Sequence, residues 1–300
     1  MRIVELFAGI GGFRLGFGEE HDYVFASDMH PDAQLIYKVR FGHDLDSRKI
    51  QEVHVDEIPD HDLLCGGFPC ATFSIAGKRE GLTKEHDKGM LFYEITRILT
   101  GKMPKYVMLE NVGGLLTHDS GRTFSVILWE LGRLGYSVQW QKFNSRNFGT
   151  PQNRERVFIV GILGETRQVL PIIPTTQTDF AGTVLTQRSG KVRTYKEGTF
   201  PCLTALMGTG GNNVPVIRDA DGALRKITPE EAERLQGLPV GHTEGLPLSA
   251  RYERIGRSLN PAIPREIMRL LLISVAVPPP TRENCLCKEC AQPVQGELFA

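Results

Sequence analysis

The chain carries no excess of either charge: 35 Lys and Arg balance 35 Asp and Glu over 300 residues. A non-specific coater of nucleic acid is thereby disfavoured, and any affinity for a polyanion must come from local basic clusters. Long apolar runs are missing, so no span of a bilayer is expected. No secretory leader is read at the start either, where Met1-Arg2 runs straight into a strand-like segment; a soluble cytoplasmic protein, prokaryotic or phage-encoded, is expected. Cysteine is scarce, at 6 residues. Cys65, Cys70 and Cys202 are scattered, and Cys285, Cys287 and Cys290 crowd the tail, which excludes a disulfide framework. The tail thiols have no histidine near them and fall one short of a structural zinc set, so no metal is expected. No long repeat is present, which argues against a solenoid. What remains is the composition of a globular protein, 41% hydrophobic and 23% charged, with room for one large domain or two modest ones.

The first half alternates short apolar runs with helical spacing. Strands are predicted at 3–7, 23–27, 62–65, 106–110 and 157–162, and helices at 13–20, 31–41, 91–99 and 125–134. Such alternation predicts an α/β domain with a mostly parallel sheet, helices on both faces, and a ligand at the strands' carboxyl ends. The stretch 171–215 is rich in Thr, Gly and Pro and holds Arg188, Lys191, Arg193 and Lys196 close together. It reads as a small irregular lobe. A helix follows at 228–238, with Thr228 as its cap, Pro229 in its first turn and Glu231 completing a capping box. A last helix is predicted at 264–275, before a polar tail.

Three places carry chemistry. Glu5-Leu6-Phe7-Ala8-Gly9-Ile10-Gly11-Gly12 ends a strand and opens a helix, where glycines let the backbone approach a ligand. Arg14 stands where a dinucleotide fingerprint needs a third small residue, so a nicotinamide or flavin enzyme is disfavoured. Asp28, about 20 residues on, is placed either to receive ribose hydroxyls or to cap the helix at Pro31. Gly66-Gly67-Phe68-Pro69-Cys70 follows a strand at the same edge, and a loop after Pro69 is a poor place to bury a thiol. Glu110-Asn111-Val112 ends another strand there, and a carboxylate at the tip of a core strand is expensive unless paired or solvated. In Gln152-Asn153-Arg154-Glu155-Arg156 strand alternation puts both arginines on one face, toward the cleft or toward solvent.

These segments resemble, in order and spacing, the DNA cytosine-5 methyltransferases. Arg225-x-x-x-Pro229-x-Glu231-x-x-Arg234-Leu235-Gln236-Gly237 and Tyr252-Glu253-Arg254-Ile255-Gly256 are similar to two further motifs of that family. The likeness spans 1–164 and 222–275. It implies a Rossmann-like S-adenosylmethionine-dependent methyltransferase fold with a catalytic domain at 1–164, completed by 251–278. A target-recognition lobe would occupy 165–250 and a flexible tail 279–300. The implied reaction is transfer of a methyl group from S-adenosylmethionine to carbon 5 of a cytosine flipped out of double-stranded DNA. Cys70 would be the nucleophile, Glu110 the proton partner of the base, Arg156 the clamp on its carbonyl and Arg154 a support. Phe7, Gly9, Ile10, Gly11, Gly12, Asp28, Met29, Gly67, Pro69, Leu91 and Ser258 would hold the cofactor. Ser74 and the four clustered cations would contact DNA, and 77–89 resembles the family's closing loop. For the family's adenine acid, Asp46 or Lys49 falls nearest. A monomer is expected, with a cognate restriction enzyme as a possible partner.

One position departs from the pattern. The family's Gly-Asn-Ser is Gly256-Arg257-Ser258 here, a cation beside a sulfonium cofactor. Arg257 would face solvent or a neighbouring acid, or mark an impaired DNA binder. Alternatively it would pair with the extra carboxylate of carboxy-S-adenosylmethionine and make the chain a carboxymethyltransferase. An RNA cytosine methyltransferase on the same scaffold and a non-catalytic DNA-binding relative are the other readings; the full set of Cys70, Glu110, Arg154 and Arg156 argues against the latter.

Overall fold

The structure, a computed structural model, describes residues 1–68, 91–173, 184–188, 191–194, 198–207, 212–218 and 222–276. Pro69, Cys70, Ser74, the 77–89 loop, Lys196 and the tail thiols lie outside the described residues.

Strand β1 (Arg2–Leu6) leads through helix α1 (Gly12–Phe17) to β2 (Asp22–Ser27), and α2 (Pro31–Phe41) leads to β3 (Leu63–Gly67). Helix α3 (Leu91–Lys102), β4 (Tyr106–Val112), α4 (Arg122–Arg133), β5 (Tyr136–Asn144) and β6 (Glu155–Leu163) complete the first half. These strands form one sheet in the order β2-β1-β3-β4-β6-β5. The first four run parallel, whereas β6 pairs antiparallel with both β4 and β5. The order turns back on itself between β1 and β3, the switch point where open α/β sheets hold ligands.

Both faces of the sheet are covered, which is why its strands read as near-continuous apolar runs. Val4, Leu6, Leu64, Val107 and Leu109 pack with Ile95, Ile98 and Leu99 of α3 and Ile127 and Leu131 of α4. The alternate residues Ile3, Leu63, Cys65 and Met108 pack with Phe13 and Phe17 of α1 and with Ile263, Ile267 and Leu271. The latter three lie on α7 (Ala262–Ala276), so the sheet's second face is closed by the far end of the described chain.

The Thr/Gly/Pro-rich stretch holds more regular structure than its composition suggests. Strands β7 (Val184–Arg188), β8 (Lys191–Thr194), β9 (Asn212–Arg218) and β10 (Leu224–Lys226) form an antiparallel sheet in the order β10-β9-β7-β8. Helix α5 (Pro229–Gln236) begins with the expected capping box between Thr228 and Glu231. With α6 (Leu248–Arg257) it joins Phe200, Leu203, Met207 and Ile227 to Ile10 and Ile36 of the first half in one apolar cluster. Among the described residues no helix is long and apolar enough to cross a membrane.

Candidate active site

A cleft of about 830 Å³ opens where β1 to β4 end and β6 begins. Its walls include Phe7, Gly9, Ile10, Gly12, Asp28, Met29, Gly67, Leu91, Glu110, Arg154, Arg156, Arg257 and Ser258, all singled out from the sequence. Gly11 stands behind the turn instead: a Cβ there would meet the Phe41 ring at 2.3 Å.

The turn after β1 is tightly wound. Phe7, Gly9 and Gly11 have φ of 55°, 55° and 80°, a region that glycine enters freely and phenylalanine does not. The Ala8 amide donates to Ser27 O and the Gly9 amide to Asp28 Oδ2, at 2.9 and 2.8 Å. Asp28 also accepts from the His30 amide at 2.9 Å, so its carboxylate fixes the entry to α2 while bordering the cleft. Among the described residues nothing lies within 4 Å of where a Gly9 Cβ would be, so none of them closes that side of the turn.

Of the two candidate adenine-end residues, only Lys49 is part of the cleft wall. The Asp46 carboxylate is held by Arg48 at 2.7 Å.

Glu110, at the end of β4, pairs with Arg156 at 3.0 Å. Burial pushes the Glu110 carboxyl above its ordinary value, and the neighbouring guanidinium groups of Arg156 and Arg154 only partly offset it. Gly67 makes room for this acid, since a Cβ there would sit 3.1 Å from Glu110 Oε2. Asn111 turns inward and donates to Phe68 O at 2.8 Å, fixing the residue before the Pro-Cys pair. The motif contained Asn111 but gave it no task.

The two arginines divide. Arg156 lies in β6 and reaches Glu110; Arg154 precedes the strand and is 2% exposed. Its guanidinium donates to Leu203 O at 3.0 Å, Gly256 O at 3.2 Å and Ser258 O at 2.6 Å, and lies 3.5 Å from Cys202 Sγ. Burial, with Arg156 beside it, lowers its pKa to about 10. Arg154 therefore braces the Gly256–Ser258 wall more than it enters the cleft. Gln152 and Gln236, also unassigned from the sequence, complete the brace. Gln152 Nε2 donates to Gln236 Oε1 at 2.8 Å, and Gln236 Nε2 to Ser258 O at 2.5 Å.

Arg257 turns to a neighbouring acid. Its Nε lies 3.0 Å from Glu253 Oε1 and its side chain is 62% exposed. Burial raises the Glu253 carboxyl, but Arg257 and Arg254 outweigh it and hold the group below its ordinary value. The signal for this pair is the i, i+4 spacing on a helix.

Comparison with known proteins identifies the family and the fold. The sequence profile of the family described as C-5 cytosine-specific DNA methylase matches residues 1–199. The Type II methyltransferase M.Bsp6I of Bacillus sp. (strain RFL6) is 35% identical over 279 residues, covering 80% of this chain and 88% of its own. The Type II methyltransferase M.NlaX of Neisseria lactamica is 34% identical over 298 residues, covering 89% and 94%. Among solved structures, the Dnmt2 methyltransferase of S. pombe superposes with a TM-score of 0.74 at 18% identity, over 92% of this chain and 100% of that one. That likeness establishes the fold, the Rossmann-like fold of S-adenosylmethionine-dependent methyltransferases. The chain belongs to the C-5 cytosine-specific DNA methylases and is a DNA (cytosine-5-)-methyltransferase.

Proposed function

We propose that the enzyme methylates carbon 5 of a cytosine flipped out of a short specific site in double-stranded DNA, with S-adenosylmethionine as donor and Cys70 as nucleophile. The observation that carries this reading is the Glu110–Arg156 pair on the wall of the glycine-turn cleft. The side of Gly9 that no described residue closes and the carboxylate of Asp28 on the cleft wall suit a nucleoside with ribose hydroxyls. S-adenosylmethionine supplies an electrophilic methyl group. The chain supplies the rest: the Cys70 thiolate adds to carbon 6, which turns the unreactive carbon 5 into an enamine carbon. Glu110, whose carboxyl burial pushes above its ordinary value, is the group to share a proton with the ring nitrogen as charge develops there. Arg156 clamps the base carbonyl, and Arg154 keeps the wall behind it in place. Loss of the carbon 5 proton then expels the thiolate.

The 165–250 lobe is proposed to read the DNA, with Arg188, Lys191, Arg193 and Lys196 on phosphates and Ser74 beside the target. Register sets Arg188 opposite Lys191 where β7 pairs with β8, which supports a basic cluster there. Its relatives M.Bsp6I and M.NlaX are Type II methyltransferases, which supports a place beside a restriction enzyme.

The finer question is which group is transferred. Arg257 already has a carboxylate partner in Glu253, which supports methyl over carboxymethyl transfer, since a carboxylated cofactor would have to displace that pair. One experiment addresses chemistry and donor together. Bacterial genomic DNA is incubated with S-adenosylmethionine and carboxy-S-adenosylmethionine in competition, then digested for mass spectrometry of its nucleosides. The parent should yield 5-methylcytosine and Cys70→Ala nothing. Turnover by Cys70→Ala would refute the nucleophile, and dominant 5-carboxymethylcytosine would refute the donor.

A further inference from the structure

We propose that His242 is a positioning residue that holds the cofactor turn from behind and couples it to helix α5 of the recognition lobe. The proposal rests on the reading that the cleft takes S-adenosylmethionine. His242 belongs to the segment between α5 and α6, outside every motif quoted from the sequence, yet it is 3% exposed and its Nε2 lies 2.7 Å from Ile10 O. A carbonyl can only accept, so Nε2 carries the proton. Burial pushes the imidazole below its ordinary value, consistent with a neutral donor.

The turn needs such a partner. Its left-handed residues Phe7, Gly9 and Gly11 rotate successive peptide planes outward, and Ala8 O is taken by the Gly11 amide at 2.9 Å. Ile10 O is the carbonyl between Gly9 and the start of α1, and it is met by His242, which is not part of the cleft wall. The Phe41 ring, 6.1 Å from the imidazole, fills the space behind Gly11.

His242 is itself rigidly held. The fully buried carboxylate of Glu233 on α5 accepts from the Gly241 amide at 2.6 Å and the Thr243 amide at 2.8 Å. It also accepts from the Thr243 hydroxyl at 2.5 Å and from Arg251 at 3.2 Å. From the other side Arg40 of α2 donates to Gly241 O and, at 2.7 Å, to His242 O. The loop thus moves with α5, and α5 packs on Phe200, Leu203 and Ile227 of the lobe. A shift of α5 as the lobe grips DNA reaches the cofactor turn through one hydrogen bond, and such coupling acts equally in both directions.

The test is calorimetric titration of S-adenosylhomocysteine into the parent, His242→Phe, His242→Gln and Arg40→Ala, with and without bacterial genomic DNA. His242→Phe keeps a ring but no donor, and should weaken binding about tenfold, the loss of one buried hydrogen bond. KM for S-adenosylmethionine should rise with kcat in place, and the tightening of cofactor binding by DNA that is expected of the parent should be lost. His242→Gln restores a donor and should recover most of the affinity, which a purely space-filling role would not allow. Arg40→Ala removes an exposed side chain and should weaken binding several-fold, even if His242→Phe does not fold. Parent-like binding by His242→Phe, equal loss in His242→Gln, or an unfolded His242→Phe beside a parent-like Arg40→Ala would overturn the proposal. No binding by the parent would overturn the cofactor reading itself.

Discussion

Glu5 is a carboxylic acid in the middle of a parallel β-strand, with no exposure to solvent. One oxygen accepts from the Tyr37 hydroxyl at 2.7 Å. Burial lifts its pKa from 4.5 to about 7, despite opposing help from Tyr37 and Arg14. Between those two values the folded protein keeps a proton that the unfolded chain has released, so stability falls as pH rises across the window. The full effect is roughly 3 kcal/mol. Urea unfolding should show the parent weaker at pH 8 than at pH 5, and Glu5→Gln should flatten that difference; a parent insensitive to pH would contradict it. Sequence reasoning treated 3–7 as an apolar run and passed over this acid, because burial depends on what covers a strand. Glu110 was legible for the opposite reason: it ends its strand, next to motif residues. Arg154 was half legible, since alternation predicts a shared face with Arg156. Its carbonyl partners at Leu203, Gly256 and Ser258 lie about 50 and 100 residues away, where spacing carries no information.

The elements divide along the same line. β1 to β4, β6 and the helices between them follow from periodicity because each buries its own apolar pattern. β5 (Tyr136–Asn144) escaped, since an edge strand with mostly half-exposed residues has no strong alternation. The second sheet escaped because the pairing that joins its two local strand pairs is remote, with Val184 opposite Ile217. Helix α6 holds a motif quoted for its likeness to the family, and its packing explains that motif's glycine. A Cβ on Gly256 would approach the Thr204 carbonyl to 2.3 Å, backbone against backbone, with no flexible side chain to yield. Gly256→Ala should therefore lift the 200–207 segment off α6 and stretch the Arg154 bond to Gly256 O. A destabilisation of about 1–3 kcal/mol is expected, read as a melting temperature lower by several degrees; an unchanged melting temperature would mean the segment adjusts freely.

Over the whole molecule charge sums to zero, so the salt dependence of DNA binding reports on where cations are gathered. If the β7–β8 hairpin grips phosphates, replacing Arg188 and Lys191 together by Ala should reduce the slope of log affinity against log salt by about 1.8, near 0.9 for each phosphate. Sequence preference should hold, and an unchanged slope would place the backbone contacts elsewhere. The layout has a consequence for how the protein is made. Arg265 of α7 donates to Leu15 O of α1 at 3.2 Å, 250 residues back along the chain. A Cβ on Gly16 would sit 2.7 Å from Pro261 O, so the two helices meet with almost no gap. The ribosome releases all six strands of the main sheet before α7 exists, and about 100 residues of lobe and linking segments intervene. At roughly 5–20 residues per second that interval is on the order of 5–20 s. Throughout it Ile3, Leu63, Met108 and Val160 lack the helix that covers them in the finished protein. Arrival of α7, rather than assembly of the sheet, is the event that closes the core.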